Sequence, residues 1–325
     1  MGIRVKSLSS YVPESIIRNE DFERFLETSD EWITERTGIK ERRMASPQEA
    51  ASDLGAKAAI RALERGGVDP KEIDLLIAAT SSPDHLFPST ACLIQAAIGA
   101  SRAAPFDIQA GCPGFVFGLE IARGMLISGA YKRALVVGTE CLTRILDYTD
   151  RSTCVLFGDG AGAAVLEEDP DHDGIISSYL GGDGSLGSLL IMPAGGSRLP
   201  ASSKTVKEHL HFVKMEGQEV FRNAVRAMRD AALTTLKRAG VRPEELDWLV
   251  PHQANTRIIE ATRERLKLPP EKVYINIDRF GNTSAASIPI ALDEMQEKGL
   301  LKEGQLVLAV SFGAGFVWGG VLLRW

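Results

Sequence analysis

The stretch ALERGGVDPKEIDLLIAATSSPD (residues 62–84) decides the fold, because TLKRAGVRPEELDWLVPHQAN (residues 235–255) repeats it. Seven residues recur in register: Leu63/Leu236, Arg65/Arg238, Gly67/Gly240, Val68/Val241, Pro70/Pro243, Glu72/Glu245 and Asp74/Asp247. Each copy reads as the end of an amphipathic helix, a glycine stop, a proline-led turn and then a strand. The order continues downstream. A helical segment follows in both copies, STACLIQAAIGA (89–100) and NTRIIEATRERL (255–266), and then a second strand, APFDIQAG in one copy and KVYINIDRF in the other. Chance supplies one such echo, but hardly an echo whose later elements also keep their order. Two copies are too few for a solenoid. The reading is an α/β protein made of two similar halves, 1–170 and 171–325, divided near the polar stretch EEDPDHDG (167–174) and packed as one folding unit.

The chain has 325 residues, 44% of them hydrophobic and 25% charged, an ordinary globular composition. A net charge of −6 gives no support to a nucleic-acid partner. No signal peptide is expected at the start, and no apolar run is long enough to span a bilayer. The four cysteines, Cys92, Cys112, Cys141 and Cys154, have neither metal-ligand nor secreted-framework spacing. A reduced, cytoplasmic protein without a metal is expected. FGDGAGAAVL (157–166) supplies G-x-G-x-x-A without a convincing helix after it, so it reads as a strand turn and predicts no NAD.

The repeat also places candidate chemistry. Cys112 stands between the strand ending near Ile108 and an apolar segment, Phe115 to Ala130, which reads as a buried helix with Pro113 at its first position. A cysteine at a buried helix N-terminus has its thiolate stabilised by free N–H groups and the helix dipole. The alternative is a structural cysteine, a common occupant of cores. In the second copy the counterpart of Cys112 is Asn282, in FGNTSAASIP, and His252 follows the first strand in PHQAN. Functional groups of α/β sheets collect beyond the carboxyl ends of strands, so these three residues are predicted to meet between the halves. Each alone has a plain reading: a satisfied polar histidine, a Gly-Asn turn. LVLAVSFGAGFVWGGVLLRW (306–325) reads as two strands joined by Gly313–Ala314–Gly315, either a simple hairpin or a backbone donor for an oxyanion.

GCPGF, PHQAN and GNTSAASIP, in this order and near these spacings, resemble the β-ketoacyl-[acyl-carrier-protein] synthase III family, the initiating condensing enzymes of type II fatty acid synthesis. TSDEWITERTGIKERR (28–43) and LFPSTACLIQ (86–95) match its pattern too, and the resemblance runs over effectively the whole chain. It implies a thiolase-like duplicated α-β-α-β-α fold, a homodimer, and no cofactor beyond the coenzyme A thioester used as substrate. It implies that Cys112 takes an acyl group from acyl-CoA, acetyl-CoA in the first instance. Malonyl-[acyl-carrier-protein] then loses CO₂ and condenses with that group. The oxyanion donors would be the backbone N–H groups of Cys112 and Ala314, while His252 and Asn282 would serve decarboxylation. The resemblance further implies Trp32, Arg36 and Arg151 for coenzyme A, Phe87 for limiting the acyl pocket across the dimer, and Gln253, Arg257 and Arg222 for the carrier protein. Two residues depart from the family pattern: Pro113 stands where a small residue is common, and Ala314 where some members have Gly. Outside this family, a Cys–His–Asn peptidase and a non-catalytic acyl-CoA-binding protein are the readings to be separated by assay.

Overall fold

The computed structural model describes residues 2–325. Two of its sheets are built to one plan, and two short ribbons, Ser15–Arg18 with Glu41–Met44 and Leu190–Ile191 with Lys214–Met215, stand beside them. The first holds β1 (Gly2–Tyr11), β2 (Leu75–Ala79), β3 (Ala104–Ile108), β4 (Arg133–Cys141) and β5 (Asp159–Asp169), in the order β1-β5-β4-β2-β3. β2 runs parallel to β3 and β4, while β5 is antiparallel to both β4 and β1. The second holds β6 (Ile175–Gly182), β7 (Trp248–Pro251), β8 (Leu306–Gly313) and β9 (Val317–Arg324), in the order β7-β8-β9-β6. β7 is parallel to β8 and the other two pairs are antiparallel. Strand for strand, β6, β7, β8 and β9 repeat β1, β2, β4 and β5 in order and sense.

The residues of the repeat do the same work twice. Gly67 and Gly240 adopt left-handed φ values of 60° and 67° and stop their helices. The next N–H closes each end: Val68 donates to Leu63 O at 3.0 Å and Val241 to Leu236 O at 3.1 Å. Asp74 then accepts from the N–H groups of Lys132 and Arg133, which lead into β4. Asp247 accepts from the N–H of Leu306, which begins β8. Each aspartate therefore pins the strand that pairs beside its own.

Helices α1 (Asp30–Thr37), α2 (Ala51–Gly66), α3 (Thr90–Ile98), α4 (Gly114–Ile127), α5 (Gly217–Ala239), α6 (Thr256–Leu266) and α7 (Ser287–Glu297) complete the frame. Strand periodicity sorts the core into layers. Leu75 and Ile77 of β2 face a central cluster that includes Leu119 and Leu126 of α4, Ala291 and Leu292 of α7, and Ala309 of β8. Leu76 and Ala78 face outward to Leu54 of α2 and Ile94 of α3. On the far side, Leu249 and Leu308 meet Met228 of α5 and Ile259 of α6. The layers run helix, sheet, helix pair, sheet, helix, so the duplicated α-β-α-β-α architecture is present. The middle pair, α4 and α7, are the two helices that begin just after Cys112 and Asn282.

Four local expectations change. The second strand of the second copy, KVYINIDRF, shrinks to one bridge between Val273 and Leu249. The cause is Gln253, whose Oε1 takes the N–H groups of Asn276 and Ile277 at 3.0 and 3.2 Å and turns the chain away from the ladder. The strand turn read at residues 157–166 is not found: from Asp159 onward they belong to the long strand β5. The apolar helix begins at Gly114, with Pro113 just outside it, and ends at Ile127, which is 42% exposed. One face of that helix is buried, and the burial all round read from its sequence is not found.

Candidate active site

Cys112, His252 and Asn282 line one cavity together with Leu156, Phe312 and Gly313. Three separate structural causes bring them there. Cys112 ends the loop from β3 into α4, with Gly111 in a left-handed turn (φ 52°) just before it. His252 leaves β7, its N–H donating to Val310 O at 2.8 Å. Asn282 is clamped by its backbone, accepting from Gly158 N–H at 3.0 Å and donating to Leu156 O at 2.9 Å.

The polar atoms are aimed. Asn282 Oδ1 accepts the Ser284 N–H at 2.9 Å, which leaves the amide nitrogen free to donate into the cavity. His252 is 1% exposed, with Nδ1 at 2.7 Å from Ser287 Oγ and Nε2 buried with no partner among the described residues. The Phe312 ring meets the imidazole edge-on at 5.8 Å. Burial lowers the His252 pKa to about 3, so the ring is neutral at physiological pH. A neutral histidine and a carboxamide make a pair of uncharged hydrogen-bond donors, suited to negative charge developing on an oxygen.

The thiol departs from expectation. Burial pushes Cys112 up to about 12, and the Ser284 hydroxyl opposes this only in part. A position before a helix N-terminus does not by itself make a thiolate where desolvation is this large. Cys112 is therefore a thiol at neutral pH. Its backbone has close company. A Cβ on Gly313 would sit 2.5 Å from Cys112 N, and one on Gly111 would sit 2.9 Å from Ala314 N. Neither the Cys112 nor the Ala314 N–H donates to a backbone carbonyl among the described loop contacts.

A second cluster adjoins the cavity. The guanidinium groups of Arg36 and Arg151 lie over the Trp32 ring, 4.8 and 5.0 Å from its centroid. Asn255, which lines the cavity, accepts from Arg257 N–H and donates to Arg36 O, both at 2.8 Å, so one side chain ties α6 to α1. Arg257 is exposed over Phe221, a cavity residue. Arg222 is exposed too, and it is paired with Glu219 at 3.1 Å.

Gln253, which the resemblance implies for the carrier protein, does not reach the surface. It is 1% exposed, and its amide group is committed to the carbonyls of Pro251 and Tyr274 and to the N–H groups of Asn276 and Ile277. Phe87 is 86% exposed and does not line the cavity of its own chain. Ser284, Ser287 and Phe312 were missed in the sequence. GNTSAAS reads as a run of small residues for close approach, and nothing local tells which hydroxyl faces a histidine 35 positions away.

Two family models match: 3-oxoacyl-[acyl-carrier-protein (ACP)] synthase III over residues 106–184, and its C-terminal part over 236–325. The chain is 56% identical to the β-ketoacyl-[acyl-carrier-protein] synthase III of Caldanaerobacter subterraneus, over 97% of this chain and 96% of the relative. The solved 3-oxoacyl-[acyl-carrier-protein] synthase III of Aquifex aeolicus superposes with a TM-score of 0.92 at 45% identity, covering 100% of both chains. The priming β-ketosynthase from the R1128 polyketide biosynthetic pathway superposes with a TM-score of 0.91 at 38% identity, over 99% of this chain and 96% of that one.

Proposed function

The chain belongs to the β-ketoacyl-[acyl-carrier-protein] synthase III family, acyltransferases that condense thioesters, and on that premise we propose how its residues divide the work. Cys112 is the acyl carrier. Its sulfur attacks the carbonyl of an acyl-CoA, the C–S bond to coenzyme A breaks, and the thiol proton leaves with the coenzyme as CoA-SH. The oxyanion of that step lies against the N–H groups of Cys112 and Ala314, which the close seating of Gly313 and Gly111 supports. Malonyl-[acyl-carrier-protein] then enters the emptied cavity. Its carboxylate leaves as CO₂, the electron pair passes to the thioester as an enolate, and the carbanion attacks the acyl-Cys112 carbonyl, freeing the sulfur.

His252 and Asn282 hold the enolate oxygen. The observation that carries this reading is the pair of uncharged N–H donors, one oriented by Ser284 N–H, lining one cavity with the Cys112 thiol. One such donor is worth about 3–4 kcal/mol in the transition state. The coenzyme A nucleotide rests on Trp32 between Arg36 and Arg151, and Arg257 with Arg222 meets the acidic carrier protein at the mouth. The thioesters themselves are the only cofactor needed. Leu86 and Phe87, 83% and 86% exposed, are covered by a second copy in a homodimer, where Phe87 limits the acyl pocket. The halves 1–170 and 171–325 act together in the cytoplasm; no helix among the described residues is long and apolar enough to cross a membrane.

Intact-protein mass spectrometry after incubation with a panel of acyl-CoAs tests the first half-reaction. A thioester adduct on the wild type and none on Cys112→Ala supports it, and the preferred adduct names the primer. Absence of any adduct on folded protein refutes it. Asn282→Ala with undiminished malonyl decarboxylation refutes the second.

A further inference from the structure

His252 is useful as a donor only if its single proton sits on Nε2, and a neutral imidazole has two nitrogens to choose from. The choice is visible at Ser287. Ser287 is 2% exposed, the first residue of α7, and its Oγ lies 2.7 Å from His252 Nδ1. That oxygen already receives the Gln253 N–H at 3.4 Å. No carbonyl or carboxylate among the described residues takes the Ser287 hydroxyl proton, so Nδ1 is its acceptor. With Nδ1 accepting, the ring proton is on Nε2, the buried atom without a partner among the described residues.

We propose that Ser287 is a positioning residue: its hydroxyl donates to His252 Nδ1, fixes the Nε2–H tautomer, and so aims a donor into the cavity beside Asn282. The arrangement is symmetric in purpose. Asn282 is oriented by the backbone N–H of Ser284, His252 by the side chain of Ser287, and both orienting groups lie within four residues at the start of α7. Cys112 does not depend on this segment through His252, so loss of Ser287 falls on decarboxylation and spares acyl transfer. What the donor is used for rests on the function proposed above; which nitrogen holds the proton does not.

The test is nitrogen NMR of the intact protein labelled in its histidines, with the His252 ring identified by its absence from His252→Gln. The wild type shows Nδ1 unprotonated and Nε2 protonated. In Ser287→Ala the two nitrogens average. The kcat for decarboxylating a malonyl thioester falls about 10- to 100-fold at unchanged KM, while acylation of Cys112 stays within about twofold. Ser287→Thr restores the spectrum and the rate. A wild-type ring protonated on Nδ1, or a Ser287→Ala enzyme that decarboxylates at the wild-type rate, overturns the proposal. If Ser287→Ala does not fold, the wild-type spectrum and Ser287→Thr decide it. A wild type that shows the Nε2–H ring but never decarboxylates malonyl thioesters removes the function and leaves the tautomer assignment standing.

Discussion

Replacing Gly313 by alanine adds one methyl group at the most crowded point of the site. The new Cβ would lie 2.5 Å from Cys112 N, 2.8 Å from Pro113 Cδ and 3.0 Å from Cys112 Cβ. Ordinary contact begins near 3.4 Å, so the Cys112 peptide must retreat by about 0.9 Å, and Pro113, locked in its ring, cannot yield by rotation. Overpacking of this kind costs about 1–3 kcal/mol of stability. The larger effect is on chemistry. Misplacing a reacting group by about 1 Å costs on the order of 100-fold, and a displaced oxyanion donor costs a comparable factor or more. Gly313→Ala should therefore acylate Cys112 at least about 100-fold more slowly, with a melting point lower by only a few degrees. The assay is the rate of adduct formation from acyl-CoA followed by mass. Gly124→Ala is the control: that helix glycine has nothing within 4 Å of a new Cβ, and alanine there should stabilise by about 0.5–1 kcal/mol with full activity. A Gly313→Ala enzyme that acylates like the wild type would refute the seating of Cys112 against the Gly313 loop.

Other consequences follow from titration and capping. His252 falls from its ordinary 6.5 to about 3, so below pH 6.5 the unfolded chain takes a proton the folded chain refuses. Its contribution is intact above 6.5, and stability drops by about 1.4 kcal/mol per pH unit from there toward 3. His252→Gln should remove that slope in urea titrations, and parallel wild-type and variant curves would contradict it. Cys112, raised to about 12, should alkylate with iodoacetamide at a rate that climbs steadily between about pH 7 and 10. A plateau inside that range would mean the helix N-terminus outweighs burial. Asn255→Ala removes the cap of α6 and the bond to Arg36 O, costing about 1 kcal/mol. It should raise KM for acyl-CoA while leaving Cys112 alkylation unchanged; an unaltered KM would separate the Trp32 cluster from coenzyme binding.

Much of this protein was written along the chain because its determinants are local. Leu63 to Asp74 and Leu236 to Asp247 carry helix stop, turn and strand-pinning aspartate within a dozen positions, so their recurrence revealed the duplication, and the duplication paired Cys112 with Asn282. Helix ends at Gly67 and Gly240 were legible for the same reason: a glycine stop acts on the turn beside it. What depended on distant neighbours was not. The resemblance implies Gln253 for the carrier protein, yet it is buried and replaces a strand's hydrogen bonds across 24 positions. Cys112 reads as an activated thiolate, yet its protonation is governed by desolvation, which only the packed cavity sets. Local sequence determined the elements, their order and which residue types stand at the strand ends. Tertiary packing decided the charge on Cys112, the partner of each His252 nitrogen and the direction of the Asn282 amide, because solvent exclusion and hydrogen-bond geometry arise only when segments far apart in sequence close around one another.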